Sequence, residues 1–241
     1  MERKEWFGYE CEEFLFDGFA AAVVFPKKAN EKKNFVLKTE YRDAFPEAAE
    51  LPLLEAGWHV CFVKNKDRYG SDESIDRQAR FVEYVQREYG LAARCVPVGM
   101  SCGGLIAVKF ATSYPHLVSC LYIDAPVVNY MSCPLGFGDS EIHKWEEIMG
   151  ALLLTKAELL AYRDMPLDRI PILIKHKIPL VMVSGDSDKS APYHENGVFI
   201  ERAYKEAGLP FALYIKPGGA HHPHGLPDPA PVLAFIKKYA D

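Results

Sequence analysis

Residues 96–105 read VPVGMSCGGL, which places the pattern Gly-x-Ser-x-Gly between an apolar run and a stretch of small and apolar residues. The apolar run predicts a strand and residues 102–113 predict a helix, so Ser101 falls on the turn between them. Such a turn strains the serine backbone and needs small neighbours two residues away, which Gly99 and Gly103 provide. The turn also directs backbone N–H groups towards a site where a negative charge can develop.

Strand-like runs and amphipathic helices alternate outward from this turn. Strands are predicted at residues 14–16, 19–25, 35–37, 58–63, 95–98, 117–123, 178–183 and 211–215, and helices at 45–56, 72–89, 102–113, 195–207 and 231–239. Alternation at this spacing is typical of βαβ units. It predicts an α/β fold with a mostly parallel central sheet and helices on both faces. Pro97 does not suit a central strand, because it cannot donate to the ladder, and we expect a bulge there.

Residues 129–177 interrupt the alternation, because they show helical stretches and no clear strand. We expect a single domain over residues 1–241 in which this segment forms a small helical cap over one end of the sheet. An ordinary crossover with extra helices is the alternative.

Composition narrows the functional classes. The 241 residues carry a net charge of −5, and no basic run is present, which argues against a nucleic-acid partner. The N-terminus is charged, no signal-peptide pattern is visible, and no stretch of about 18 apolar residues occurs. We therefore expect a cytoplasmic protein with a small-molecule substrate and no membrane contact, and a homo-oligomer is left open. The six cysteines lack CxxC spacing, so reduced thiols are expected.

Aspartate and histidine side chains follow the last two predicted strands, at residues 178–183 and 211–215. Residues 184–188 read SGDSD after one predicted strand, and residues 217–224 read PGGAHHPH after the last. A serine hydroxyl becomes a good nucleophile when an imidazole takes its proton, and that imidazole needs a carboxylate to hold it. The order Ser, Asp, His along the chain leaves room for one helix and one strand between acid and base.

The GMSCGG run, its placement and this order resemble the α/β-hydrolase superfamily of serine hydrolases over nearly the whole chain. Residues 122–127 (YIDAPV) and 218–229 (GGAHHPHGLPDP) are similar to the esterase and prolyl-oligopeptidase-like branches of bacterial hydrolases. The resemblance implies an α/β-hydrolase fold with Ser101 as nucleophile, Asp188 as acid and His221 as base. Asp124 and Asp186 remain alternative acids.

The resemblance also implies an oxyanion hole and a substrate pocket. One donor is expected to be the backbone N–H of Cys102. The other is expected to be the backbone amide of Glu40 or Tyr41, although that loop lacks the His-Gly of lipase-like relatives and could be a surface turn instead. The substrate-binding candidates are His222, Tyr69 and Tyr130, and His222 also stays open as the base.

Three histidines within residues 221–224 also suggest metal ligation. Adjacent residues of an extended chain point in opposite directions, however, and Pro223 stiffens the segment. We therefore expect no metal site and no cofactor.

The expected activity is hydrolysis of carboxylic esters, with small acyl or carbohydrate esters as substrates (class 3.1.1). Alternatives are another serine acyl hydrolase, such as a thioesterase, lipase or exopeptidase, and a non-catalytic binding protein on the same fold. We expect no large propeller of the kind found in prolyl-oligopeptidase relatives, and this expectation disfavours an endopeptidase.

Overall fold

Nine strands form one sheet in the computed structural model, which describes residues 2–240. In chain order they are β1 (Glu2–Trp6), β2 (Tyr9–Phe16), β3 (Phe19–Val24), β4 (Phe35–Lys38), β5 (His59–Val63), β6 (Val96–Met100), β7 (Leu121–Asp124), β8 (Leu180–Gly185) and β9 (Phe211–Lys216). The α-helices of the same residues are α1 (Glu50–Glu55), α2 (Asp72–Tyr89), α3 (Cys102–Ser113), α4 (Trp145–Leu152), α5 (Lys156–Ala161), α6 (Pro166–Lys175), α7 (Gly197–Ala207) and α8 (Ala230–Tyr239).

The strand order across the sheet is β1-β2-β3-β5-β4-β6-β7-β8-β9. The first four strands in this order pair antiparallel, and every pairing from β5 to β9 is parallel. Strand β1 was not predicted, because its sequence ERKEW is mostly charged and lies at the sheet edge, where charged side chains are tolerated.

Helices cover both faces of the sheet, and each face has its own apolar core. On one face, residues of α1 and α8 such as Leu53 and Ile236 pack against strand residues such as Tyr122. On the other, residues of α2, α3, α6 and α7 form the larger core, with Phe81 and Leu105 fully buried. The predicted α/β-hydrolase architecture, a mostly parallel sheet between two helical layers, is confirmed.

A bulge lies beside Pro97, as the sequence led us to expect. Cys95 bridges Val118, but the next pair along the same two segments is Val98 with Tyr122, so the segment leading into β7 gains one residue. On its other side Pro97 stays in register with Leu37 of β4. The missing N–H of proline therefore coincides with the interruption of the ladder between β6 and β7.

The segment between β7 and β8 is irregular up to Lys144 and then forms α4, α5 and α6. Helix α6 packs against α3 and α7, so it belongs to the helical layer on the face of the sheet that has the larger core. The boundaries of a cap at residues 129–177 stay a prediction. Across residues 2–240, helices of the length and apolar character needed to cross a membrane do not occur.

Candidate active site

Ser101 lies on a sharp turn between β6 and α3. Its backbone has φ 55° and ψ −120°, a conformation rarely adopted outside glycine. A Cβ on Gly99 would lie 2.1 Å from the carbonyl oxygen of Gly103, so the turn cannot form with a larger residue there. The Ser101 N–H donates to the carbonyl oxygen of Asp124 at 2.9 Å, which ties the turn to the end of β7.

Three side chains from separate segments at the carboxyl edge of the sheet form one chain of hydrogen bonds. The Nε2 atom of His221 is 2.9 Å from the Oγ atom of Ser101. Its Nδ1 atom is 2.7 Å from Oδ2 of Asp188. His221 follows β9 and Asp188 follows β8, so the parallel topology brings residues distant in sequence to one place.

The environment of Asp188 holds it in the charged form. Burial alone would raise its pKa, but the hydrogen bond and charge of His221 and the N–H groups of Ala191 and Ser190 together lower it below the usual value. Those two N–H groups donate to Oδ1 at 3.0 Å and 2.8 Å. The carboxylate is therefore fixed on one side by backbone and presents its other oxygen to His221.

The two alternative acids have other partners. Asp186 is exposed, and its Oδ1 accepts from the N–H of Gly218 at 2.7 Å and from the hydroxyl of Ser187 at 3.0 Å, as a loop cap does. Asp124 is fully buried, and its Oδ1 lies 2.7 Å from Nδ1 of His224. Neither carboxylate contacts His221 among the hydrogen bonds of residues 2–240.

The pair His224–Asp124 is a second histidine–carboxylate contact beside the first. The other oxygen of Asp124 accepts from the N–H of Gly225 at 2.7 Å and from the hydroxyl of Tyr122 at 3.3 Å. Sequence reasoning named Asp124 as an alternative acid and counted His224 among the three grouped histidines, but it did not predict their pairing. Their spacing in sequence carries no such signal, because only the order of strands in the sheet brings them together.

The loop after β4 approaches the turn that carries Ser101. The hydroxyl of Thr39 donates to the carbonyl oxygens of Gly103 and Val98 at 2.7 Å and 3.1 Å, which binds this loop to the start of α3. Burial raises the pKa of the Glu40 carboxyl group, and a hydrogen bond from Nδ2 of Asn65 at 2.7 Å lowers it in part. The Tyr41 hydroxyl interacts with Arg68 and Cys102, and burial raises its pKa, so the group stays protonated.

Helix α3 begins at Cys102, and the first N–H groups of a helix have no acceptor within it. The N–H of Cys102 is therefore open to a ligand beside Ser101. Burial raises the pKa of the Cys102 thiol, which keeps it in the unreactive protonated form.

A cavity of about 400 Å³ opens in front of Ser101. Its walls carry aromatic and apolar side chains, two cationic side chains and three histidines, and no carboxylate occurs among the described residues that line it. The lining residues are Tyr41, Ala44, Phe45, Arg68, Tyr69, Met100, Ser101, Cys102, Cys133, Pro134, Ile142, Lys144, Ser190, His221, His222 and His224. Four of them, from Cys133 to Lys144, belong to the segment between β7 and β8.

The proposed substrate-binding residues divide into two groups. His222 and Tyr69 line the cavity. Tyr130 does not, and the expectation that it binds substrate is corrected. Its side chain is fully buried, its hydroxyl donates to the carbonyl oxygen of Tyr69 at 3.0 Å, and its ring stacks on Tyr162. Tyr130 thus supports the wall of the cavity from behind.

A buried ion pair behind the cavity was missed from the sequence. The Nζ atom of Lys38 is 2.6 Å from the carboxylate of Glu50, and both side chains are almost completely buried. The same ammonium donates to the carbonyl oxygen of Ala44 at 3.1 Å and lies 3.6 Å from the sulfur of Met100, the residue before Ser101. The signal in the sequence was a lysine at the end of the apolar run FVLK, which the sheet buries along its whole length.

Two groups of side chains among the described residues each bring three potential metal-binding atoms within 4.8 Å of one another. One is His221, His222 and His224, and the other is the exposed set Asp139, His194 and Glu195. The argument that neighbouring histidines would point apart fails for the first group. Residues 220–227 form a bent loop rather than an extended strand, so all three rings face the same cavity.

The chain is similar to known proteins both in sequence pattern and in fold. The sequence pattern of the prolyl oligopeptidase family matches residues 62–241. A comparison with curated protein sequences finds no match. The solved acylaminoacyl peptidase of Pyrococcus horikoshii superposes with a TM-score of 0.70 and 16% identity, over 89% of this chain and 37% of that chain. A puromycin-hydrolyzing peptidase of Mycobacterium tuberculosis gives 0.73 and 14%, over 96% of this chain and 39% of that chain.

At these identities the solved structures share the fold, and the present chain spans less than two fifths of their length. The family pattern, in contrast, covers well over half of the present chain and includes the segments that carry Ser101, Asp188 and His221. The protein belongs to the prolyl oligopeptidase family of serine hydrolases, which has the α/β-hydrolase fold.

Proposed function

We propose that the protein hydrolyses carboxylic esters of small acyl groups, including acylated sugars, through Ser101, His221 and Asp188. The observation that carries this proposal is the continuous hydrogen-bond chain from Asp188 through His221 to Ser101 at the wall of an open cavity. That chain is what a serine needs to act as a nucleophile near neutral pH.

In the proposed reaction, Oγ of Ser101 attacks the carbonyl carbon of the substrate while Nε2 of His221 takes its proton. His221 then gives the proton to the leaving alcohol, and an acyl-enzyme remains on Ser101. Water, deprotonated by the same histidine, releases the acid and restores the serine. Asp188 holds His221 in the tautomer with its proton on Nδ1 and stabilises the imidazolium that forms.

Two donors are proposed for the oxyanion of the tetrahedral intermediate. The first is the N–H of Cys102, open at the start of α3. The second is the Tyr41 hydroxyl, which belongs to a residue that lines the cavity with Ser101 and stays protonated because burial raises its pKa. Loss of one oxyanion donor costs about 10²–10³ in kcat, so Tyr41→Phe should lower kcat by about that factor with little change in KM.

The character of the cavity favours an ester over a peptide with a free amino terminus. Recognition of an ammonium group requires a carboxylate or a similar acceptor, and the described lining has none, whereas Arg68 and Lys144 are present. The half-buried aromatic rings of Tyr41 and Phe45 offer apolar surface on which a sugar or aryl group can lie.

An exopeptidase is the second candidate. It is favoured by membership of the prolyl oligopeptidase family and by solved neighbours that are named as peptidases. Hydrolysis of an amide bond would use the same nucleophile as hydrolysis of an ester. The two candidate functions therefore differ only in the substrate that fits the cavity.

A substrate panel separates these candidates. Kinetics would be measured on nitrophenyl esters of increasing acyl length, acetylated sugars, aminoacyl nitroanilides and N-acyl-aminoacyl nitroanilides, with Ser101→Ala as the blank. The proposal predicts the highest kcat/KM on esters of short acyl groups and no cleavage of free-amino anilides. A higher kcat/KM on any anilide than on the esters would replace the esterase proposal with the exopeptidase.

A further inference from the structure

Three imidazole rings occupy one corner of the cavity. The ring centroids of His221, His222 and His224 are 4.7, 4.8 and 5.1 Å apart, and the contacts are edge-on. One nitrogen from each ring lies within 4.8 Å of the other two. Nucleophilic attack needs one of these rings, and the structure offers no catalytic task for the grouping of all three.

Two of the rings are already oriented as metal ligands usually are. A ligating histidine almost always donates its second ring N–H to a carboxylate, which fixes the tautomer and makes the free nitrogen a better donor. His221 does so through Nδ1 to Asp188 and His224 through Nδ1 to Asp124, each at 2.7 Å. In both rings the lone pair is therefore on Nε2. In His221 this atom accepts from the Ser101 hydroxyl at 2.9 Å, so a cation has to displace that contact.

We propose that His221, His222 and His224 form a binding site for a divalent cation of the zinc type, and that the bound ion blocks Ser101. Neutral imidazole is a preferred ligand of zinc, and three such ligands with a fourth open position form a common coordination set. Tetrahedral zinc at 2.0–2.1 Å from each nitrogen requires nitrogens roughly 3.3 Å apart. The three nitrogens lie within 4.8 Å of one another, so binding requires the ring of His222, which is exposed at the rim, to move closer to the other two.

The consequence for catalysis rests on the proposed function. The Nε2 lone pair of His221 that would take the proton of Ser101 is the one that the cation would use. A bound ion therefore removes the general base while leaving Ser101 in place, and its release restores the base. The site would act as a reversible inhibitory site and would supply no chemistry to the reaction.

The test is a titration of the full chain with zinc chloride at pH 7.5, in which calorimetry measures the heat of binding. A parallel titration with cobalt chloride reports the coordination geometry through its visible absorption. Neither reading needs activity, so failure of the metal site and failure of the hydrolase proposal are seen separately. The variant is His222→Asn, whose exposed side chain can be changed without opening the core. The matched control is His194→Asn, which removes the histidine of the other candidate cluster.

We expect one zinc ion per chain, an affinity at least tenfold weaker in His222→Asn, and an affinity unchanged in His194→Asn. We also expect zinc to slow labelling of Ser101 by a fluorophosphonate in the wild type and not in His222→Asn. The proposal is overturned by a folded wild-type chain that binds no zinc, or by binding that is lost in His194→Asn and kept in His222→Asn. Zinc that binds through His222 without slowing a measurable labelling reaction would overturn the blocking role.

Discussion

Two histidines of the loop after β9 each contact a buried carboxylate from another strand end. The two pairs differ in the group that the second ring nitrogen of the histidine reaches. In the pair His221–Asp188, Nε2 of the histidine reaches the Ser101 hydroxyl. In the pair His224–Asp124, the Nδ1–Oδ distance is the same 2.7 Å, but the carboxylate is also bound by the N–H of Gly225 and the hydroxyl of Tyr122. The second pair ties the loop to the end of β7.

The contrast shows that a histidine–carboxylate contact does not by itself identify a catalytic base. The contact orients the ring in both pairs, and only the position of the nucleophile separates them. The first pair is connected to a strained serine at the cavity, whereas the Asp124 end of the second is sealed in the core. We therefore propose proton transfer for the first pair and anchoring of the loop for the second.

The largest expected difference between the pairs is in turnover. Asp188→Asn should lower kcat on the best ester by about 10⁴, because an asparagine favours the wrong tautomer of His221. Asp124→Asn should lower it by less than about tenfold, because His224 takes no part in the proposed proton transfer. Steady-state kinetics on both variants, each checked for folding by circular dichroism, makes the comparison. Equal losses in the two variants would erase the distinction.

We expect the second pair to contribute to the free energy of unfolding. Asp124 is a fully buried carboxylate with three donors, and asparagine has one oxygen to offer them, so a donor loses its acceptor. We expect Asp124→Asn to lower the free energy of unfolding by about 2–3 kcal/mol. Asp186→Asn is the matched control at an exposed carboxylate and should change it by less than about 1 kcal/mol. Urea unfolding followed by fluorescence measures both, and similar losses would show that Asp124 is not an anchor.

The smallest expected effect is on how the free energy of unfolding depends on pH. Because the pKa of Asp188 is lowered in the folded protein, the unfolded chain binds a proton there at a higher pH than the folded chain does. The stability that this carboxylate contributes is present above its usual pKa of 3.8 and is lost as the pH falls through the lowered value. The stability gap between the wild type and Asp188→Asn should therefore shrink between about pH 5 and pH 3. A gap that stays constant over this range would contradict the assigned charge state.

Local patterns in the sequence predicted the fold and the components of the site. The turn at Ser101 has a residue signature because its backbone requires glycine nearby, and each buried strand has an apolar run. The same patterns placed Asp188 and His221 at strand ends, where the parallel topology collects them. Strand β1 was missed because its charged sequence has no apolar alternation.

Pairings between distant segments could not be predicted in the same way. The contact of His224 with Asp124 and that of Lys38 with Glu50 join residues whose neighbourhood is set by strand order and loop path. Tyr130 was misplaced for a similar reason, since its sequence does not reveal whether its ring faces the cavity or the wall behind it. The grouping of three histidines was dismissed because an extended chain was assumed where the loop is bent.

Activation of Ser101 is the central claim, and covalent labelling tests it most directly. The wild-type chain and Ser101→Ala would be treated with a fluorophosphonate and compared by intact mass. The account predicts one adduct on the wild type and none on the variant. A folded wild-type chain that gains no adduct, or an adduct that persists on Ser101→Ala, would contradict the assignment of Ser101 as the nucleophile.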